Sequence, residues 1–240
     1  MLKIFKHFTF IFFIFFWDCN HKEARENFYP NNPEFSKSNG EPFDLSTSYF
    51  LKIIMPDTLN IDLKNDSIRD EMYSRILYSS KELIYYNYYL GHDVYRFLWI
   101  RALDVPVIFS IHNKNGNVWL EVKIPRSVTE EDGKSKSYYY ESKDSSLVKY
   151  GAINTSDFAL NQKRNLSIKE WNTFETLLKE TDFLNIPSYN IVDGFDGSSW
   201  IIEAHLKDNY KVVERWNPEN DFKKCGEYLI TLSGLQEEIY

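Results

Sequence analysis

The residues whose types and spacing could do chemistry are few. Asp193-Gly194-Phe195-Asp196-Gly197 places two Asp-Gly pairs just ahead of an alternating run that starts at Ser198. Such a loop could coordinate calcium or seat a polar ligand. A calcium loop of the EF-hand kind, however, needs several alternating oxygens and a later bidentate glutamate. Glu203 follows at a suitable distance, but it falls inside a strand pattern. Tight turns use Asp-Gly for conformation alone. The turn reading is the simpler one, so neither a metal nor a cofactor is expected.

Asp196, Glu203 and Glu214 could supply the two carboxyls of a glycoside hydrolase, which must stand at a defined separation. Alternation predicts that Glu203 and Glu214 point to opposite faces of a hairpin, which argues against pairing those two. Arg101 and Arg215 lie in strand patterns beside Trp99 and Trp216. An arginine stacked on an exposed indole presents its planar fork to an acidic partner. The plainer reading is an ion pair at the sheet edge with Asp196 or Glu203. Trp99, Arg101, Asp196, Glu203, Arg215 and Trp216 therefore form the candidate binding surface. His92, His112 and His205 have no spacing that implies a metal, and no Gly-x-Ser-x-Gly, phosphate-cradling glycine loop or His-Glu-x-x-His occurs.

The elements that must position these residues read as hairpins and helices. Asn115-Gly116 is a preferred two-residue hairpin turn, because both central positions need positive φ. Pairing across it sets Val107 against Ile124, Phe109 against Val122 and Ile111 against Leu120 on an apolar face. Ser110 against Glu121 and His112 against Trp119 then share a largely polar face, as in a half-buried antiparallel sheet. Tyr95–Arg101 is a neighbouring strand, and Lys149–Leu160 suggests another. Residues 66–83 carry a helical stripe with Met72, Ile76 and Leu83 on one side. Tyr85–Tyr89 extends that helix or forms an edge strand. Tyr49–Met55 reads as a first strand, and residues 127–146 as a long loop containing Tyr138-Tyr139-Tyr140.

Ser167-Ile168-Lys169-Glu170 is a capping box for a helix bearing Trp171, Phe174, Leu177 and Leu178. A second hairpin runs from Trp200 to Trp216. With Lys207-Asp208-Asn209 as its loop, Trp200 faces Trp216 and Ala204 faces Val212. Phe222, Cys225, Leu229 and Leu232 share one face of a final helix. Cys225 is thus a small core residue rather than a nucleophile.

The chain opens Met1-Leu2-Lys3-Ile4-Phe5-Lys6-His7, and Phe8 to Trp17 is apolar but for Thr9. A basic start before roughly 7–15 apolar residues marks a secretory signal, here residues 1–18. A membrane span needs about 20 apolar residues, more than this run offers. Cys19-Asn20-His21-Lys22-Glu23 resembles the start of a bacterial lipoprotein, which makes Cys19 a candidate lipidation site and the membrane a candidate partner through a lipid anchor. Trp17 and Asp18 depart from that pattern, which leaves ordinary secretion or an uncleaved anchor open. Residues 19–47, with Pro30, Pro33, Gly40 and Pro42, read as a polar tether, and residues 48–240 as a single domain.

Net charge is −7, which disfavours nucleic acid as a partner. The 17 Tyr and 18 Phe suit a surface for flat ligands, or follow from the codon bias of an A/T-rich genome. Two segments, Tyr95–Arg101 with the strand from Pro106, and Asp196–Glu203 continuing through Tyr210, Val212, Val213, Arg215, Trp216, Asn217 and Pro218, resemble a widespread family of uncharacterised bacterial exported proteins. The resemblance spans roughly residues 95–235. It implies a related fold and an exported setting, at the periplasm or cell surface, and supplies no catalytic residues.

The expectation is an α+β fold, an antiparallel sheet of hairpins with two to three helices on one face. Its expected role is non-catalytic binding of a protein, peptide or glycan partner. The alternatives are a hydrolase acting on envelope or extracellular material, and a secreted inhibitor or immunity-type protein.

Overall fold

The computed structural model describes residues 28–50, 63–102, 104–127, 153–190, 197–236 and 239. Its elements run α1 (Leu63–Ser79), β1 (Asp93–Arg101), β2 (Val107–Lys114), β3 (Asn117–Ser127), β4 (Ile153–Leu166), α2 (Ile168–Glu180), β5 (Ser198–Leu206), β6 (Asn209–Trp216) and α3 (Asn220–Ser233). The strands form one antiparallel sheet in the order β4-β3-β2-β1-β5-β6, so the fold is α+β.

The first hairpin forms in the expected register, with Phe109 opposite Val122, Ile111 opposite Leu120 and His112 opposite Trp119. Asn115 and Gly116 both hold positive φ, 53° and 86°, as the turn requires. Pro125 lies in β3 where the register to β4 shifts, a bulge that tolerates its missing N–H. The second hairpin differs from expectation. Lys207 and Asp208 alone make the turn, and Trp200 opposes Arg215 while Ala204 opposes Lys211. The reason is that β6 is apolar toward both faces: Val212 joins one core and Val213 the other. Alternation along it therefore could not choose a register.

Two hydrophobic layers sandwich the sheet. Phe97, Trp99, Phe109, Ile111, Leu120, Trp200 and Ile202 meet Trp171, Phe174 and Leu178 of α2 and Phe222, Cys225 and Leu229 of α3. Ser167 caps α2 as expected, accepting from the Glu170 amide while the Glu170 carboxylate accepts from the Ser167 amide at 2.6 Å. Two helices thus lie on one face. The opposite face is covered too, because Tyr73, Ile76 and Leu77 of α1, with Tyr49, Phe50, Ile84 and Tyr86, pack on Leu98, Ile108, Ile201 and Val212. The polar side of the first hairpin is therefore buried, with Ser110 3% and His112 7% exposed.

α1 ends at Ser79, short of the expected Leu83, where Lys81 turns to φ 54° and the Glu82 amide closes back on the Leu77 carbonyl at 3.0 Å. Tyr85–Tyr89 is neither helix nor strand. Tyr49 and Phe50 sit in a bend, and the rest of Tyr49–Met55 lies outside the described residues, as do the loop carrying Tyr138–Tyr140 and the amino-terminal signal with Cys19. From residue 28 on, the segment read as a tether is docked. The Tyr29 hydroxyl donates to the Leu206 carbonyl, the Asn31 amide to the Asn87 carbonyl, and the Ile84 amide to the Gly40 carbonyl. No helix among the described residues is long and apolar enough to cross a membrane.

Candidate functional site

The chemistry-bearing side chains gather on the face covered by α1 and the 28–50 segment. Cross-strand pairing lines up Lys163, Glu121, Ser110, Arg96 and Glu203 from β4 to β5, each directly opposite the next. In a sheet, directly opposed residues project on the same side, so this row lies on one face.

Its inner end is an ion network closed from solvent. Arg96 and Glu203 are each 1% exposed, and Arg96 Nη2 donates to Glu203 Oε2. Arg96 Nη1 donates to the Leu83 carbonyl at 2.8 Å and reaches Glu82 Oε2 at 3.4 Å. Glu82 Oε1 accepts from Lys123 Nζ at 2.6 Å, and Glu203 Oε1 accepts from the Tyr210 hydroxyl at 2.8 Å. Tyr85 lies 4.4 Å from the Arg96 guanidinium. Burial pushes the Glu203 carboxyl up, while Arg96 and Tyr210 pull it back. Both Glu203 oxygens are thus engaged within the protein, and the carboxylate is closed from solvent.

Glu214 is likewise 4% exposed, accepts from the Tyr73 hydroxyl at 2.8 Å and sits 3.6 Å from Arg69. Against expectation, Glu203 and Glu214 share a face, since Glu203 opposes Val212 and Glu214 opposes Ile201. Each is nevertheless committed to its own cation and tyrosine.

Among its described residues the expected binding surface is not assembled. Trp99 is 0% exposed in the helix-side core, and Arg101 is buried over it with its guanidinium 4.8 Å from the indole and donating to the Val105 carbonyl. Arg215 is half-buried, donates to the Glu214 and Pro187 carbonyls, and faces Phe222. Trp216 is half-buried next to it in β6 and so points the other way. Asp196 lies outside the described residues. The arginine that Glu203 meets is Arg96, which the sequence pattern did not single out. An open depression of about 310 Å³ lies beside Arg215, lined also by Glu180, Thr181, Ile186, Asp221 and Phe222.

The histidines, which looked isolated, are drawn together. His92 Nε2 and His112 Nδ1 are hydrogen-bonded at 3.1 Å. His112 stacks on Trp119 with ring centres 4.6 Å apart, and Lys163 Nζ stands 4.4 Å from the centre of the same indole. Trp119 Nε1 donates to Glu121 Oε1 at 2.9 Å, and Glu121 Oε2 is 4.0 Å from His112 Nε2. Burial pushes His112 down to about 3 and lowers His92, so both are neutral near pH 7. The signal was available in one place: the hairpin register alone sets His112 against Trp119.

His205 is a fastening. Its Nε2 accepts from the Leu90 amide at 3.0 Å, so its Nδ1 carries the proton and donates to the Tyr85 carbonyl at 2.7 Å. Tyr29, Tyr85 and Tyr89 surround the ring. Burial pushes it down to about 4, which keeps it neutral. Among the described residues no group of three or more His, Cys, Asp or Glu side chains could hold a metal ion.

Among the described residues, large apolar side chains are exposed at Ile168 and Leu184, around α2, and along the amino-terminal segment. Phe28, Phe35, Phe43 and Leu45 are 39–50% exposed, all on the docked 28–50 segment. Compared with models of known protein families, with curated proteins and with solved structures, the chain matches none.

Proposed function

We propose that this chain is an exported, non-catalytic binding protein that seats an apolar protein or peptide partner on residues 28–45. One observation carries the reading: Phe28, Phe35, Phe43 and Leu45 are exposed on a segment that is itself fixed in place. Asn87 does much of that fixing. Its carboxamide oxygen accepts from the Asn32 amide at 2.9 Å, and its Nδ2 donates to the Asn32 carbonyl at 2.7 Å and to Ser36 Oγ at 2.8 Å. Large apolar side chains exposed along one segment favour a contact surface, and a pre-ordered segment loses little entropy on binding. Phenylalanine and leucine offer no hydrogen bonds to hydroxyl-rich ligands, which favours a protein or peptide over a glycan.

The hydrolase reading loses support because Glu203 and Glu214 are occupied internally. Export rests on the basic, apolar opening of the sequence, with Cys19 as the candidate anchor. The test is a photo-crosslinking side chain at position 43, with one at the exposed Ile168 as control, in cells that make the full chain. An adduct specific to position 43 that disappears with Phe28→Ser and Phe35→Ser is expected. Equal labelling from positions 43 and 168, or none from either, would overturn the proposal.

A further inference from the structure

The centre of the covered face holds hydrogen-bonding atoms that the protein itself leaves unmatched. Arg96 Nε, Ser110 Oγ, His112 Nε2 and Ser80 Oγ are buried and make no hydrogen bond within the protein. Three of them are immediate neighbours by strand geometry. Arg96 and Ser110 oppose each other across β1 and β2, and His112 follows Ser110 by two residues on the same side of β2. Ser80 is brought over the row from the cover, because Lys123 Nζ donates to its carbonyl at 3.2 Å while also holding Glu82. An unmatched buried polar atom costs about 1–3 kcal/mol, so the three neighbours on β1 and β2 call for a common partner.

We propose that Arg96 Nε, Ser110 Oγ and His112 Nε2 form an internal site for bound water, with Ser80 Oγ closing it from the cover. The chemistry selects water over an ion. Arg96 and Lys123 are already balanced by Glu82 and Glu203, so an anion would bring an uncompensated charge into a closed layer. Arg96 Nε–H only donates, whereas His112 Nε2 only accepts: His92 Nδ1 faces the Leu90 carbonyl at 3.4 Å and carries the proton, so His92 Nε2 accepts from His112 Nδ1 and leaves His112 Nε2 bare. A water accepts from the first and donates to the second, and the serine hydroxyls turn to suit either. Internal waters with two to four such partners are ordinary constituents of folded proteins. The site also lies where the row reaches Glu121, which is half-exposed, so exchange with solvent would pass beside that carboxylate.

Magnetic relaxation dispersion of water oxygen-17, which counts long-lived internal waters, tests this on the full chain. Ser110→Val, which fills the site, is expected to remove at least one long-lived water, and Ser110→Ala to shorten its residence. A high-resolution crystal structure grown in bromide supplies the second reading. It should show a water within hydrogen-bond distance of Arg96 Nε and Ser110 Oγ and no bromide there. An unchanged water count in both variants, a bromide peak at the site, or a direct bond from Arg96 Nε to Ser110 Oγ would overturn it. The crystal structure keeps the proposal testable if Ser110→Val fails to fold.

Discussion

Arg96 on β1 and Glu203 on β5 stand directly opposite each other across the middle of the sheet, and each is 1% exposed. Their pairing joins the strand that opens the sheet to the hairpin that completes it. Removing one partner of a buried ion pair costs about 3–5 kcal/mol, because the other charge is stranded. Glu203→Ala is expected to lower stability by that much in urea unfolding, and Glu203→Gln by less, since the amide still accepts from Tyr210. If Glu203→Ala unfolded at the wild-type midpoint, the seam would not rest on this pair.

Acid is expected to loosen the cover through His205. In the unfolded chain its imidazole titrates near 6.5, and in the fold at about 4. Between those values only the unfolded chain takes the proton, so this contribution is complete above about 6.5. It is lost as pH falls toward about 4, and amounts to at most about 3 kcal/mol. His205→Gln does not titrate and should flatten that part of the stability-against-pH curve. The same slope in the variant would assign it to other groups.

Gly197→Ala is expected to destabilise by more than about 1 kcal/mol. Gly197 sits at φ 144°, and an added Cβ would lie 2.2 Å from the Asn217 side chain, whose Oδ1 accepts from the Ser198 amide at 2.6 Å. Asn217→Gly should relieve the clash, so the double variant is predicted to lose less than the sum of the single losses. Strict additivity in thermal melts would show that backbone conformation alone is responsible.

Cys225 is 0% exposed and burial pushes its thiol up to about 12, so iodoacetamide is expected to spare it in the folded protein and modify it fully in denaturant. Peptide mass spectrometry reads this site separately from Cys19. Rapid native labelling would point to local opening of α3.

Ser167→Ala should cost about 1 kcal/mol through loss of the α2 cap, measured by the same urea titration. No effect would mean that packing of Trp171 and Phe174 holds the helix end without it.

Local chemistry made some of this legible in advance. Ser167 with Glu170, and Asn115 with Gly116, announce their structures because the bonds they make span only a few residues. Trp171, Phe174, Phe222 and Cys225 follow from helical spacing. The second face was hidden for a physical reason. Arg96, Ser110, His112, Glu203 and His205 look like the solvent side of a half-buried sheet, and their alternation is that of one. What covers them, besides α1, is a stretch rich in Asn, Ser and Pro, held by side-chain bonds such as those of Asn87 and Tyr29 to distant carbonyls, and such bonds leave no periodicity. The same cover explains why the Trp99–Trp216 surface was expected and does not form: with both faces of the sheet buried, β1 and β6 have apolar or paired residues on each side.

The strand order carries a consequence for how the chain matures. β1 is made first but lies inside the sheet, with β2 on one side and β5 on the other. As the chain folds from its amino-terminal end the β2 side can zip at once, whereas the other edge of β1 stays bare until β5 is in place. The Tyr29 hydroxyl must wait longer still, because the carbonyls it grips belong to Leu206 and Asn209, whereas Asn31 and Gly40 meet the earlier Asn87 and Ile84. The amino-terminal end of the docked segment is thus among the last parts to be fastened, next to the exposed Phe28.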